Sequence, residues 1–366
     1  MAYAELPVQS EEQQDIRFAR SADGTRLAWA QHGSGPPLIN VSCWLSHLQF
    51  DWQSPVWRHL LRDLGKFSTL VRYDERGSGL SDWEVTDFSL EARVRDLEAV
   101  VAAARLHRFA LLGMSQGGQV AIDYAARHPE RVTHLVLFGA WAGPPEWTEE
   151  RRAEEDAYLS LIRAGWARHD PLFRRVFTSR FIPDASEEQM RWFDDLQRLS
   201  ISTRNAIEAR VARMAADVRH LLPRVRVPTL VIQARRDRAA TLDEARELAS
   251  GIPGARLVLL DSRNHILLEH EPAWRLFVRE LRAFLATPGR QPDELPWTDG
   301  LHGLTARERE ILCLAADGLT NSDIAARLVL SVRTAERHLS NAYLKLGLSG
   351  KAARTAAVAA MLRGGG

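Results

Sequence analysis

The chain has 366 residues, with 48 Lys/Arg against 47 Asp/Glu and 45% hydrophobic residues, an ordinary globular composition whose length favours two or more domains. Its two cysteines, Cys43 and Cys313, offer no disulfide framework and no metal-ligand spacing. No run approaches the roughly 18 apolar residues of a membrane span, and the N-terminus has neither the basic nor the apolar region of a signal peptide, so a cytoplasmic protein without membrane contact is expected.

Residues 16–34, "IRFARSADGTRLAWAQHGS", alternate polar and apolar around "ADG" and predict a β-hairpin. Short apolar runs follow at 36–41, 67–74, 109–113, 134–140, 229–234 and 256–261, bounded by turn signals as buried parallel strands are. Helical patterns at 90–106, 118–129 and 242–252 lie between them, so this part is α/β with a mainly parallel sheet. From about 143 to 222 the strand signal stops and helical stretches take over, as in an insertion between two strands. "ATPGRQPDELPWTDG" ends in a linker at 287–300, separating a domain at 1–286 from a module at 301–366. That module carries nine Lys/Arg against five Asp/Glu while the rest carries 39 against 42, a basic tail on a mildly acidic body.

"FALLGMSQGGQVAIDYAARHP" runs from a strand into a helix with Ser115 at the turn. Gly113 and Gly117 relieve crowding there, so a strained turn can lift Ser115 above the sheet. The amide of Gln116 then faces the place where an oxyanion would form, at a helix N-terminus. Asp237 follows the run at 229–234 and His265 the run at 256–261, which puts both at the C-terminal edge of the sheet in the order serine, acid, histidine. In the expected chemistry His265 takes the Ser115 proton and Asp237 orients the imidazole. Such chemistry needs no metal and no cofactor.

With "YDERGSGLSDW" at 73–83 added, namely Asp74, Arg76, Gly77, Gly79 and Ser81, residues 16–286 resemble the α/β-hydrolase superfamily. The resemblance implies an α/β-hydrolase fold, a helical cap at 143–222 and a Ser115–Asp237–His265 triad. One departure stands out. Where the family usually has His-Gly, this chain has "SCWLSH", so the second oxyanion donor falls on the amide of Trp44. Cys43, Trp44, His47, Met114, Trp141 and Trp147 are candidates for the ligand pocket, because they flank the nucleophile, follow strand ends or begin the cap. Most of the eleven tryptophans are expected to be packing.

In "LTAREREILCLAADGLTNSDIAARLVLSVRTAERHLSNAYLKLGLSGKAART", Thr305 and Glu308 form a capping-box pair and Gly318 suits a helix stop. Thr320 or Asn321 can cap a short second helix, Ser331 a third that ends before Gly347, and Ser349 a fourth. Along the third helix Val332, Ala335, Leu339, Ala342 and Leu346 mark a buried face, while Arg333, Glu336, Arg337 and Ser340 face away. A short helix, a tight turn and a polar-faced helix make a helix-turn-helix.

The segment closely resembles the LuxR/NarL-type helix-turn-helix family through Leu304, Thr305, Glu308, Gly318, Asn321, Ile324, Ala325, Leu328, Ser331, Thr334, His338, Leu339, Lys345, Leu346 and Gly347. It departs at Ala335, where valine is usual, and at Glu336, where lysine is frequent. The resemblance implies a four-helix module on double-stranded DNA, paired through its fourth helix into a homodimer. Glu336 and Arg337 are the expected base readers, with Ser340 and Asn341 beside them and Lys345 and Arg333 on phosphates. Asn321, Ser331 and Thr334 complete the expected contact set. Three readings follow. The chain is a ligand-responsive transcription regulator, an esterase-type hydrolase with an accessory module, or a regulator that hydrolyses its own small ester- or lactone-like signal.

Overall fold

Eight strands form one sheet in the order β1-β2-β4-β3-β5-β6-β7-β8. They are β1 (Ile16–Arg20), β2 (Arg26–His32), β3 (Pro37–Val41), β4 (Thr69–Tyr73), β5 (Phe109–Met114), β6 (Val132–Phe138), β7 (Thr229–Ala234) and β8 (Arg256–Leu260). The computed structural model describes residues 14–42, 44–289, 304–316, 318–328 and 330–345. Cys43, Leu346, Gly347, most of the linker and the fourth helix expected after Ser349 lie outside them. The described chain falls into two compact units, Met1–Gly289 and Arg290–Gly366.

The β1–β2 and β2–β4 pairs are antiparallel and all others are parallel. Because side chains alternate along a strand, the sheet feeds two separate cores. Leu38, Leu70, Leu112, Val136 and Ile232 enter one core with α2 (Arg58–Gly65) and α10 (Pro272–Leu285). Ile39, Val71, Leu111, Leu137 and Val231 enter the other with α3 (Leu90–Ala103), α4 (Gly117–Arg127) and α9 (Leu242–Gly251). Three helices, α10, α2 and the short α1 (Leu48–Trp52), are not among the segments expected from the sequence. Leu281, Phe277 and Trp274 recur along α10 at helical spacing and are all buried, so the sequence does carry a signal for that helix.

The insertion folds as α5 (Glu149–Gly165), α6 (Leu172–Phe181), α7 (Glu187–Ser200) and α8 (Thr203–Ala215), followed by a 3-10 turn at Arg219–Arg224. Thr148, Ser186 and Ser202 each accept from a first-turn amide and so start α5, α7 and α8. Its hub is Arg174, fully buried, which donates to the carbonyls of Trp166 at 2.8 Å, Asp194 at 2.9 Å and Gly165 at 3.2 Å. One guanidinium thereby satisfies carbonyls that the end of α5 leaves open.

The second unit holds α11 (Ala306–Ala316), α12 (Asn321–Arg327) and α13 (Val332–Lys345). The Thr305 amide donates to Glu308 at 2.7 Å and the Glu308 amide to Thr305 at 3.3 Å, closing the expected box. Gly318 stops α11 at φ +85°, with the amide of Leu319 returning to the Leu314 carbonyl at 3.1 Å. Thr320 caps α12, with Asp323 as reciprocal partner. Leu304, Ile311, Ile324, Ala335, Leu339 and Ala342 share one core. Val332, the first residue of α13, departs from the expected buried stripe: it is 42% exposed.

Candidate functional site

β5 delivers Ser115 onto a sharp turn. Ser115 itself sits at φ +51°, a strained region for a residue with a side chain, and its amide is held by the Phe138 carbonyl at 2.9 Å. The surrounding glycines are steric requirements. A Cβ on Gly113 would meet Gly118 Cα at 2.8 Å, and one on Gly117 would meet the Val41 carbonyl oxygen at 2.7 Å. Gln116 then caps α4, so its amide belongs to a helix start, where N–H groups lack intrahelical acceptors and favour negative charge.

Asp237 and His265 come from the two strand ends beyond. His265 Nδ1 lies 2.7 Å from Asp237 Oδ2, and the pair is almost wholly buried. The other oxygen of Asp237 accepts the amides of Ala239 at 2.7 Å and Ala240 at 3.2 Å, so the carboxylate is fixed before it meets the imidazole. Gly139, at φ +56°, clears the space for that ring: a Cβ there would lie 2.9 Å from His265 Cε1. The His265 amide donates to the carbonyl of Phe181 at 2.8 Å, which ties the histidine loop to the last turn of α6. Residue spacing carries no hint of that tie, since its two ends lie far apart in the chain.

Ser115, Met114 and His265 line one chamber together with Trp57, Phe138, Phe193 and Ile266. An outer chamber under the cap is lined by Trp141, Trp147, Tyr158, Phe177, Arg180, Arg210 and Arg213. Trp44, Gln116 and Phe181 line both. Trp44 stacks on Trp166 with ring centroids 5.5 Å apart and meets Phe177 and Phe181 edge-on or tilted. In the outer chamber Arg210 grips Glu155 through two bonds of 2.6 Å, and Arg180 reaches Glu154 at 2.8 Å. Tyr158 lies between these guanidiniums, at 5.0 and 5.1 Å from its ring centroid. Arg213 pairs with Glu75 of the 73–83 loop, so the cap is also pinned to the sheet domain.

Of the pocket candidates, Trp44, Met114, Trp141 and Trp147 line these chambers and Cys43 lies outside the described residues. His47 lines neither. Its Nδ1 accepts the Phe50 amide at 3.3 Å and caps α1, behind the Trp44 loop. The next residue after Trp44, Leu45, takes φ +69°, so the loop that lacks the usual glycine adopts a left-handed step on a leucine.

Behind that loop a buried polar cluster gathers Asp51, Arg72 and Asp74. Burial pushes the Asp51 carboxyl up to about 7, Asp74 adding to the rise and Arg72 opposing it. Burial likewise holds His47 below the usual imidazole range. Asp74 accepts the amides of Leu48 at 3.0 Å and Leu80 at 2.9 Å, while Arg76 is clasped by Asp96 at 2.6 and 2.7 Å and by Asp23 at 2.8 Å. A Cβ on Gly79 would strike the Asp74 carboxylate at 2.2 Å. The 73–83 motif thus builds the loop beneath the site, with Ser81 donating to the Asp74 carbonyl at 2.7 Å.

In the second unit Arg333, Glu336, Arg337, Ser340 and Asn341 are exposed on α13, opposite buried Ala335 and Leu339. Ser331 and Thr334 hydroxyls bond each other at 2.7 Å at the start of α13, and Asn321 opens α12 half-buried. Lys345, the residue expected on phosphates, ends α13. Its ammonium donates to Glu308 at 2.7 Å and joins the end of α13 to the start of α11. Among the described residues no group of three or more His, Cys, Asp or Glu is arranged to hold a metal ion, and no helix is long and apolar enough to cross a membrane.

The family model described as the alpha/beta hydrolase fold matches residues 36–272, and that of the bacterial regulatory proteins of the luxR family matches 302–358. Over 245 residues the chain is 32% identical to the AB hydrolase superfamily protein YisY of Bacillus subtilis (strain 168), covering 64% of this chain and 86% of the relative. It is 27% identical over 266 residues to a pyrrolizixenacetamide deacetylase of Xenorhabdus hominickii, covering 71% and 94%. The crystal structure of the esterase RhEst1 from Rhodococcus sp. ECU1013 superposes with a TM-score of 0.61 at 26% identity, covering 75% of this chain and 99% of the esterase.

Proposed function

Since the chain belongs to the alpha/beta hydrolase fold family and ends in a luxR-family DNA-binding domain, we propose that it is a transcription regulator that binds, and cleaves, a small acyl compound. The observation that carries this reading is the buried His265–Asp237 bond of 2.7 Å beside a nucleophile elbow, in the same chain as a helix-turn-helix. The inner chamber is apolar apart from Ser115, Gln116 and His265, whereas the outer one is edged with arginine and glutamate. An ester or lactone with an apolar acyl part and a more polar alcohol side fits that division. A deacetylase and an esterase among its relatives agree with acyl chemistry.

In the proposed reaction Ser115 Oγ attacks the carbonyl carbon while His265 Nε2 takes the hydroxyl proton. Asp237 keeps the proton on Nδ1 and stabilises the imidazolium. The amides of Gln116 and Trp44 receive the oxyanion. Collapse releases the alcohol, protonated by His265, and water returning through the same histidine frees the acid and Ser115. Occupancy of the chamber biases the chain towards one of two DNA-binding states through its differential affinity for them. The DNA side is proposed as a homodimer in the cytoplasm, reading a two-fold site with Glu336 and Arg337 on bases and Arg333 on phosphate.

The test is intact mass after exposure to a fluorophosphonate, wild type against Ser115→Ala. One phosphonyl group on the wild type and none on the variant is the expected result. A folded wild-type protein that takes no label removes the catalytic half of the proposal and leaves a receptor.

A further inference from the structure

The side chain of Gln116 is turned back onto the oxyanion site. Its Oε1 accepts the amide of Trp44 at 3.2 Å, the N–H expected to receive the carbonyl oxygen of a substrate. A primary amide carbonyl and an ester carbonyl are the same kind of acceptor, so both compete for one donor. Gln116 is also one of three residues common to the inner and outer chambers. Trp44 and Phe181, the other shared residues, are locked by aromatic stacking and by the Phe181–His265 backbone bond. Gln116 is the member held across the gap by a single neutral hydrogen bond.

We propose that the Gln116 side chain is a built-in plug: it occupies the place of the substrate carbonyl on the Trp44 amide and must swing out for the acyl group to enter. The inference rests on reading Ser115 as the nucleophile. Entry of a carbonyl replaces one acceptor by another, so the Trp44 amide never stays unpaired. Opening is therefore driven by the ligand, and apparent affinity is lowered by the fraction of closed protein. The backbone of Gln116 is ordinary right-handed helix, φ −63° and ψ −22°, and tolerates any side chain. Its own amide is kept in every variant.

The experiment compares wild type with Gln116→Met, which keeps length and bulk but removes the acceptor. Two quantities are read on the full chain. One is hydrogen exchange at the Trp44 amide, and the other is the concentration dependence of fluorophosphonate labelling. Loss of Trp44 protection together with a roughly three- to ten-fold higher second-order labelling constant is expected, the size of one neutral hydrogen bond. Unchanged Trp44 protection, or slower labelling by Gln116→Met, overturns the plug and makes the side chain a support for the loop. A folded wild type that takes no label overturns the nucleophile reading, and the exchange result then decides the plug by itself.

Discussion

Gly139→Ala is the sharpest test of how the fold positions the base. The new Cβ would lie 2.9 Å from His265 Cε1 and 3.1 Å from Nδ1, where ordinary contact begins at 3.4 Å. The imidazole must retreat by roughly 0.5 Å, yet its Nδ1 is bound to Asp237 at 2.7 Å and its backbone to Phe181 at 2.8 Å. Misplacement of that order costs about ten- to a hundred-fold in rate, given ~100-fold per ångström. Position 139 also has φ +56°, which adds about 1–2 kcal/mol of backbone strain for alanine. Gly254→Ala separates the two effects, since Gly254 has φ +72° and a Cβ added there would meet nothing within 4 Å. Second-order fluorophosphonate labelling and thermal unfolding are measured on both. Both variants should lose stability, and only Gly139→Ala should lose labelling rate. If Gly139→Ala labels within two-fold of wild type, His265 is not the base that activates Ser115.

Two further perturbations probe the rest of the chain. Arg337→Ala should weaken binding to duplexes selected from a random pool by about 5- to 150-fold, corresponding to one base contact of about 1–3 kcal/mol, with Ser115 labelling unchanged; equal binding by both proteins would remove Arg337 from the reading face. For Asp51 the folded pKa of about 7 lies above the ordinary carboxyl value of 3.8, so the folded chain holds a proton that the unfolded chain releases. Stability should therefore fall as pH rises from about 4 to about 7, by up to roughly 4 kcal/mol, and Asp51→Asn should lack that decline. Parallel stability–pH curves for the two would show that Arg72 keeps Asp51 ionised throughout.

The sequence by itself determined what depends on near neighbours. Strand runs at 109–113 and 229–234, the Thr305–Glu308 and Ser331 caps, and the stop at Gly318 are local events, set by hydrogen bonds and side-chain periodicity within a turn or two. The elbow glycines are legible for the same reason, because crowding at Ser115 arises from the residues beside it. Tertiary structure alone decided what depends on which segments meet. The sheet order sets β3 beside β5, which brings the Trp44 loop to the side chain of Gln116. The cap lays Phe181 against His265, and α11 against α13 pairs Lys345 with Glu308. His47 faces a helix start and Val332 faces solvent because packing, and not spacing, sets the last few ångströms. A periodic pattern names the face a residue lies on. Only the assembled sheet, cap and loops fix which polar atom from a distant segment arrives there, and at this site that atom is the Gln116 carbonyl.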